Sequence, residues 1–226
     1  MSIERLHPDP FGDPLLDALV ADLAPVEPRR RAREILLVAG LVTVELLLFI
    51  TLQAFRPDMP HAMATPAFWW KSATFGVIGL LAAAAMLVSL DPATTNSRRL
   101  SWLWRGLAVF APLALVLGWL IDAGASGRDA LLARLVWRDG VDCLVNVGLL
   151  SLPLVLAFGV LMRRGAPTQP GRTSAAAGLA AAGLGAFVFA FHCPHDDPLY
   201  VAVWYGSAVL AVAGLARLIL PRLTRW

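Results

Sequence analysis

Two cysteines, Cys143 and Cys193, are the only thiols in the chain. The second stands in His192-Cys193-Pro194-His195-Asp196-Asp197, which puts imidazole, thiol and carboxylate side by side. A pair of thiols supports disulfide exchange, stepwise oxidation, and, with imidazole, capture of soft or borderline ions such as zinc, copper and cadmium. Cys143, His192, Cys193 and His195 are therefore candidate ligands for a transient metal ion, although His-Cys-Pro-His matches no standard zinc spacing. The bland reading treats the cysteines as small apolar packing residues, since free Cys is often buried, and the histidines as hydrogen-bonding groups at the membrane interface. No resident cofactor is indicated. Nor is there a nucleophile beside a base, a glycine-rich phosphate loop or a metal-hydrolase motif, so the chain reads as a non-enzyme.

The elements that must position these residues are apolar stretches of about twenty residues, the length that crosses a bilayer core. Six occur: Ile35 to Phe55, Ser72 to Leu90 behind Trp69 and Trp70, Gly106 to Ile121, Cys143 to Met162, Thr173 to Phe191, and Pro198 to Ala216. Such runs without alternation mean helices. The third is short unless Trp102, Leu103 and Trp104 extend it while Arg105 snorkels. A composition 58% hydrophobic and 15% charged, with mean hydropathy +0.67, excludes an ordinary soluble domain. The expected architecture is all-α, a polytopic membrane bundle of six transmembrane helices. It divides into a tail at 1–33, a membrane domain at 34–221 and a short end at 222–226. About thirty polar residues precede the first span, which reads as an uncleaved anchor.

Basic residues set the orientation. Arginines before span one, between two and three, between four and five, and after six, with Arg5, place fourteen of nineteen basic residues on one side. Arg56, Lys71, Arg128, Arg134 and Arg138 fall on the other. Basic-rich segments stay cytoplasmic, so both termini face the cytoplasm and Cys143 and Cys193 share the outer face with His61, His192 and His195. There the thiols can form a disulfide if their α carbons come within about 7 Å. A helix N-terminus at Cys143 favours its thiolate over that of Cys193 at a helix C-terminus, with adjacent Asp142 opposing. The stretch Arg128 to Arg138 is expected to form a short helix on the outer surface, and Asp196 and Asp197 to cap span six. Gly178, Gly183 and Gly185 allow close helix packing.

Glu45 is the one ionisable side chain deep in a span. It suits an ion path, or a protonated or hydrogen-bonded carboxyl that joins helices. With no second deep charge to relay to, the latter is favoured.

In the tail, Asp13-Pro14 opens a helix, and Leu15, Leu16, Leu19, Val20 and Leu23 line one face of it. Residues 1 to 27 hold six acids against Arg5 alone. Anionic headgroups repel such a segment, so the stripe suits a groove on a basic cytoplasmic protein or the underside of its own bundle. Beyond the lipid bilayer, the implied partner is protein, and no direct nucleic-acid contact is indicated.

The run from His192 through Asp197-Pro198-Leu199-Tyr200 to Ala202-Val203-Trp204-Tyr205-Gly206 resembles the signature of the negative-regulator-of-sigma-F family. Phe68-Trp69-Trp70-Lys71, Ser151-Leu152-Pro153 and Arg163-Arg164-Gly165-Ala166-Pro167-Thr168 resemble it as well, and Asp22-Leu23-Ala24-Pro25-Val26 does so more loosely. The resemblance implies a six-helix anti-sigma factor of the bacterial inner membrane. Its tail would hold an extracytoplasmic-function sigma factor, and its outer cysteines, by similarity Cys143 and Cys193, would respond to redox or heavy-metal stress. Two other classes compete. A small transporter or metal-export accessory rests on Glu45 and the outer histidines, whereas a thiol oxidoreductase usually needs more than two cysteines.

Overall fold

A computed structural model describes residues 18, 20, 21, 30–52, 55–94, 97–123 and 132–224. The chain divides into two units, Met1–Arg30 and Arg31–Trp226. In the first, Ala18, Val20 and Ala21 are helical and exposed. Leu15, Leu16, Leu19 and Leu23, the rest of the expected stripe, lie outside the described residues.

The second unit is helical throughout, with no strand among the described residues. Its long helices are α1 (Arg31–Thr51), α2 (Pro66–Ser89), α3 (Arg98–Ala123), α4 (Trp137–Arg164), α5 (Pro170–Phe189) and α6 (Pro198–Leu223). Five of them, α2 to α6, are long and apolar enough to cross a membrane. The first expected span is also a helix, of 21 residues, and is rich in Leu and Val.

The helices outrun the apolar stretches because capping and proline, rather than hydropathy, set their ends. Thr65 accepts a hydrogen bond from the Phe68 amide with Pro66 next in line, so α2 opens six residues before Ser72. Pro170 opens α5 without a side-chain cap before it. The third span, short by hydropathy, is a helix of 26 residues. Of the expected surface helix, Leu132 and Ala133 are helical and Arg134 and Leu135 form a turn. Val136 then takes a left-handed φ of 38°, and Trp137 and Arg138 already belong to α4. Its earlier residues, 128–131, lie outside the described residues.

α5 is the hub and packs against α2, α6 and α4. Small side chains make that possible: Ala176, Ala177, Ala180, Ala181, Ala182 and Ala186 are fully buried. At the α2 crossing a Cβ on Gly183 would stand 2.7 Å from the Gly79 Cα, and one on Gly79 would stand 2.8 Å from the Leu184 nitrogen. Close backbone approach of this kind is how helices associate in lipid, where apolar burial supplies no drive. Outward, Leu80, Leu149, Leu156, Leu210 and Leu218 are exposed, an apolar surface suited to acyl chains. Glu45 is buried in α1, and both of its carboxylate oxygens lack a hydrogen-bond partner. The carboxyl therefore ties no helices together here.

Candidate functional site

The two cysteines meet. Cys143 and Cys193 are free and buried, with relative exposures of 2% and 3% and their thiols in side-chain hydrogen-bonding contact. Neither sits quite where hydropathy put it. α4 begins at Trp137, so Cys143 is well inside the helix rather than at its first residue. Cys193 lies beyond the α5 C-cap, Ala190, in the segment leading to α6, and its amide donates to the Phe189 carbonyl at 3.1 Å.

Polar groups from α2 and the α1–α2 connection hold that segment. The Lys71 side chain is fully buried, and its ammonium donates to the carbonyls of Cys193 at 2.9 Å and His195 at 3.1 Å while pairing with Asp196 at 2.6 Å. Arg56 reaches the same Cys193 carbonyl at 3.2 Å and the other Asp196 oxygen at 2.7 Å. It is steadied in turn by a bidentate pair with Asp58, both contacts at 2.6 Å. That guanidinium holds the Asp58 carboxyl down at about 2. A buried charge is tolerable only when paired and hydrogen-bonded, and here Lys71 meets that condition on the Cys193–Asp196 stretch alone while Arg56 meets it there and at Asp58. Asp197 does the capping expected of it, accepting from the Leu199 and Tyr200 amides and pairing with Arg134 at 2.6 Å.

The same contacts act on the Cys193 thiol. The Cys143 thiol hydrogen bond and the nearby Lys71 charge hold the Cys193 thiol below the usual thiol range, against the opposing effect of burial. Thiolate is therefore favoured at Cys193, beside the Lys71 ammonium. Cys143 lies beyond the first turn of α4, where the helix dipole acts most strongly, so little of that dipole reaches its sulfur.

α6 completes the chamber through an irregular turn. Val201–Tyr205 is π-helical, and i→i+5 bonding brings residues five apart toward one face. In a regular α-helix they would diverge by about 140°. Tyr200 thus lies beside Cys143 and Tyr205 beside Cys193, both rings fully buried, and neither hydroxyl makes a well-directed hydrogen bond. Lys71 sits 5.8 Å from the Tyr205 ring centre. Trp204, next along, donates to the Leu135 carbonyl at 2.7 Å, stacks edge-on with Trp137 at 5.1 Å, and covers Gly140 so closely that a Cβ there would fall inside its indole.

The histidines do not join the sulfurs. The His195 Nε2 lies 3.0 Å from an Asp139 oxygen and its ring stacks on Tyr200 at 4.5 Å, while His192 packs on Phe189 at 5.5 Å. His61 belongs to a four-residue helix, Met59–Ala62. No group of three or more His, Cys, Asp or Glu stands ready to hold a metal ion among the described residues. The expected ligand set of Cys143, His192, Cys193 and His195 is therefore reduced, in this arrangement, to its two sulfurs. Sequence reasoning overlooked Lys71, Tyr200 and Tyr205. Lys71 follows Trp69-Trp70 at a span boundary, the usual place for a snorkelling cation, and the tyrosines converge only through the π turn.

Comparison with known proteins places this geometry. A family model described as "Negative regulator of sigma F" matches residues 19–226. The chain is similar to the anti-sigma-F factor NrsF of Caulobacter vibrioides, 36% identical over 209 residues that cover 88% of this chain and 92% of that protein. It is also similar to the probable anti-sigma-F factor NrsF of Azospira oryzae, 29% identical over 182 residues, or 80% of this chain and 82% of that one. No solved structure matches.

Proposed function

Because this chain belongs to the negative-regulator-of-sigma-F family, we propose that it is a membrane-bound anti-sigma factor whose tail holds an extracytoplasmic-function sigma factor. The state of Cys143 and Cys193 governs release. In this reading six helices cross the bacterial inner membrane, both termini are cytoplasmic, and the sulfurs face the periplasm, as the distribution of arginines favours. The stimulus is an oxidant, which removes two electrons and two protons from the thiols as their S–S bond forms, or a soft ion bridged by two thiolates.

The observation that carries the reading is the contact between two buried free thiols, Cys143 on α4 and Cys193 on a segment gripped by a fully buried lysine. Converting the thiols to a disulfide or thiolate–metal pair changes the sulfur separation and the local charge, and Lys71, Arg56 and Asp196 must respond because they bind the same segment. Packed interiors do not deform continuously, so the change passes to α4 and α5. Those two helices contact α1, which continues directly from the tail. Reversing a mostly bound to a mostly released state takes about 5.5 kcal/mol of differential stabilisation, within reach of covalent change at the sulfurs.

Co-purification from membranes tests the partner. The full chain is expected to retain a sigma factor that a form lacking residues 1–27 loses. Retention of the same protein by both forms would contradict the role of the tail. Cys143→Ser and Cys193→Ser are each expected to abolish stress-induced release, and an unaltered response in both would remove the sensing role.

A further inference from the structure

A cavity of about 570 Å³ opens at the opposite, arginine-rich end of the second unit, between the start of α3, the start of α5 and the last turns of α6. Arg105, Arg172 and Arg217 line it, and no acidic side chain does. The α5 N-terminus points into it: Gln169 at the N-cap makes no side-chain capping bond, and Arg172 and Thr173 follow in the first turn. Three cations and the positive end of a helix dipole therefore converge with no acidic side chain among the described residues that line the cavity. The remaining wall is apolar, with Trp104, Leu100, Ala108 and Ala175, and the Arg105 guanidinium lies over the Trp102 ring at 5.5 Å.

Depth tells which anion fits. Arg105 and Arg217 each sit about two turns inside the ends of helices apolar enough to span a bilayer, while Arg172 marks the end of its own. Two turns correspond to about 10 Å, the level of headgroups and upper acyl chains, where tryptophan also settles. An occupant must bring a negative group to the arginines and lay apolar matter against Trp104 and Leu100. We propose that this cavity is a binding site for an anionic phospholipid, its phosphodiester held by Arg105, Arg172 and Arg217 and its acyl chain on the apolar wall. Basic pockets between membrane helices take such headgroups. The site uses no residue of the cysteine chamber and does not rest on the proposed signalling role.

Native mass spectrometry of the full chain, released from vesicles with equal fractions of phosphatidylglycerol and phosphatidylethanolamine, tests it. The wild type is expected to retain phosphatidylglycerol preferentially. Arg105→Ala, Arg172→Ala and Arg217→Ala should each lower that preference about fivefold, with Arg→Lys at the same positions keeping most of it. Equal retention of both lipids by the wild type, or a preference that survives the triple alanine variant, would overturn the proposal. Displacement of the lipid by millimolar inorganic phosphate would assign the arginines to a soluble phosphate and overturn the lipid. If the triple variant fails to fold, the wild-type preference and its loss in the single variants decide.

Discussion

The two ends of the second unit handle positive charge in opposite ways. At the cysteine end Lys71 and Arg56 are buried, and their side chains bond to carbonyls or carboxylates of Cys193, His195, Asp196 and Asp58. At the other end Arg105, Arg172 and Arg217 are exposed around an open cavity. Buried paired charges are costly to break and define one geometry. Exposed, unanswered ones leave the surface free to take a ligand. The contrast separates a place where a small chemical change must be felt from one that anchors the bundle in its surroundings.

The comparison breaks most sharply at Lys71. Lys71→Met leaves Asp196 partly buried without its ammonium and strips donors from two carbonyls, which should cost about 3–5 kcal/mol, read as a fall in thermal unfolding midpoint in detergent. Arg217→Met, at the exposed end, should change stability by no more than about 0.5 kcal/mol and so leave that midpoint nearly in place. Equal losses would erase the distinction between the ends.

Next in size is Gly140→Ala, whose methyl needs the space of the Trp204 indole. Overpacking of this kind costs about 1–3 kcal/mol and should raise Trp137 and Trp204 emission changes on unfolding at lower temperature. Gly148→Ala on the same helix, with open space at its Cβ, should be neutral or mildly stabilising.

A reactivity difference follows from the charge at the cysteine end. With its thiolate favoured by Cys143 and Lys71, Cys193 should react with a small membrane-permeant maleimide at neutral pH faster than Cys143. Lys71→Met should narrow the gap. Faster labelling of Cys143 would restore the helix-dipole assignment.

The smallest effect is that of Asp58. Its carboxyl is held at about 2 by Arg56, below the ordinary carboxylate value, so its contribution is complete above about pH 4 and fades as pH falls toward 2. The midpoint difference between wild type and Asp58→Asn, measured from pH 6 downward, should stay constant and then shrink below pH 4. A difference that grows on acidification would contradict the pairing.

Much of this arrangement was legible beforehand, for reasons that also explain the gaps. Apolar runs of bilayer length located the helices, and the spacing of arginine clusters brought Cys143 and Cys193 to one end, because both signals arise from cheap, additive transfer energies. Helix ends were misplaced where a cap such as Thr65 with Pro66 overrides hydropathy. The chamber itself was hidden. A lysine beside two tryptophans looks interfacial until a partner such as Asp196, 125 positions away, draws it inward, and no 3.6-residue pattern brings Tyr200 and Tyr205 together. His195 stands apart from the sulfurs because it meets Asp139 and Tyr200, partners from other parts of the chain that its place beside Cys193 gave no sign of.

The claim at the centre is that two touching sulfurs control what the tail holds. Membranes treated with diamide, followed by mass-tag counting of free thiols and by pull-down of the bound sigma factor, test it in one preparation. The expected result is simultaneous loss of both thiols to an intramolecular disulfide, with sigma-factor retention changing in step and recovering on reduction. If both thiols stay free, or if the disulfide forms while retention is unmoved, the account is wrong.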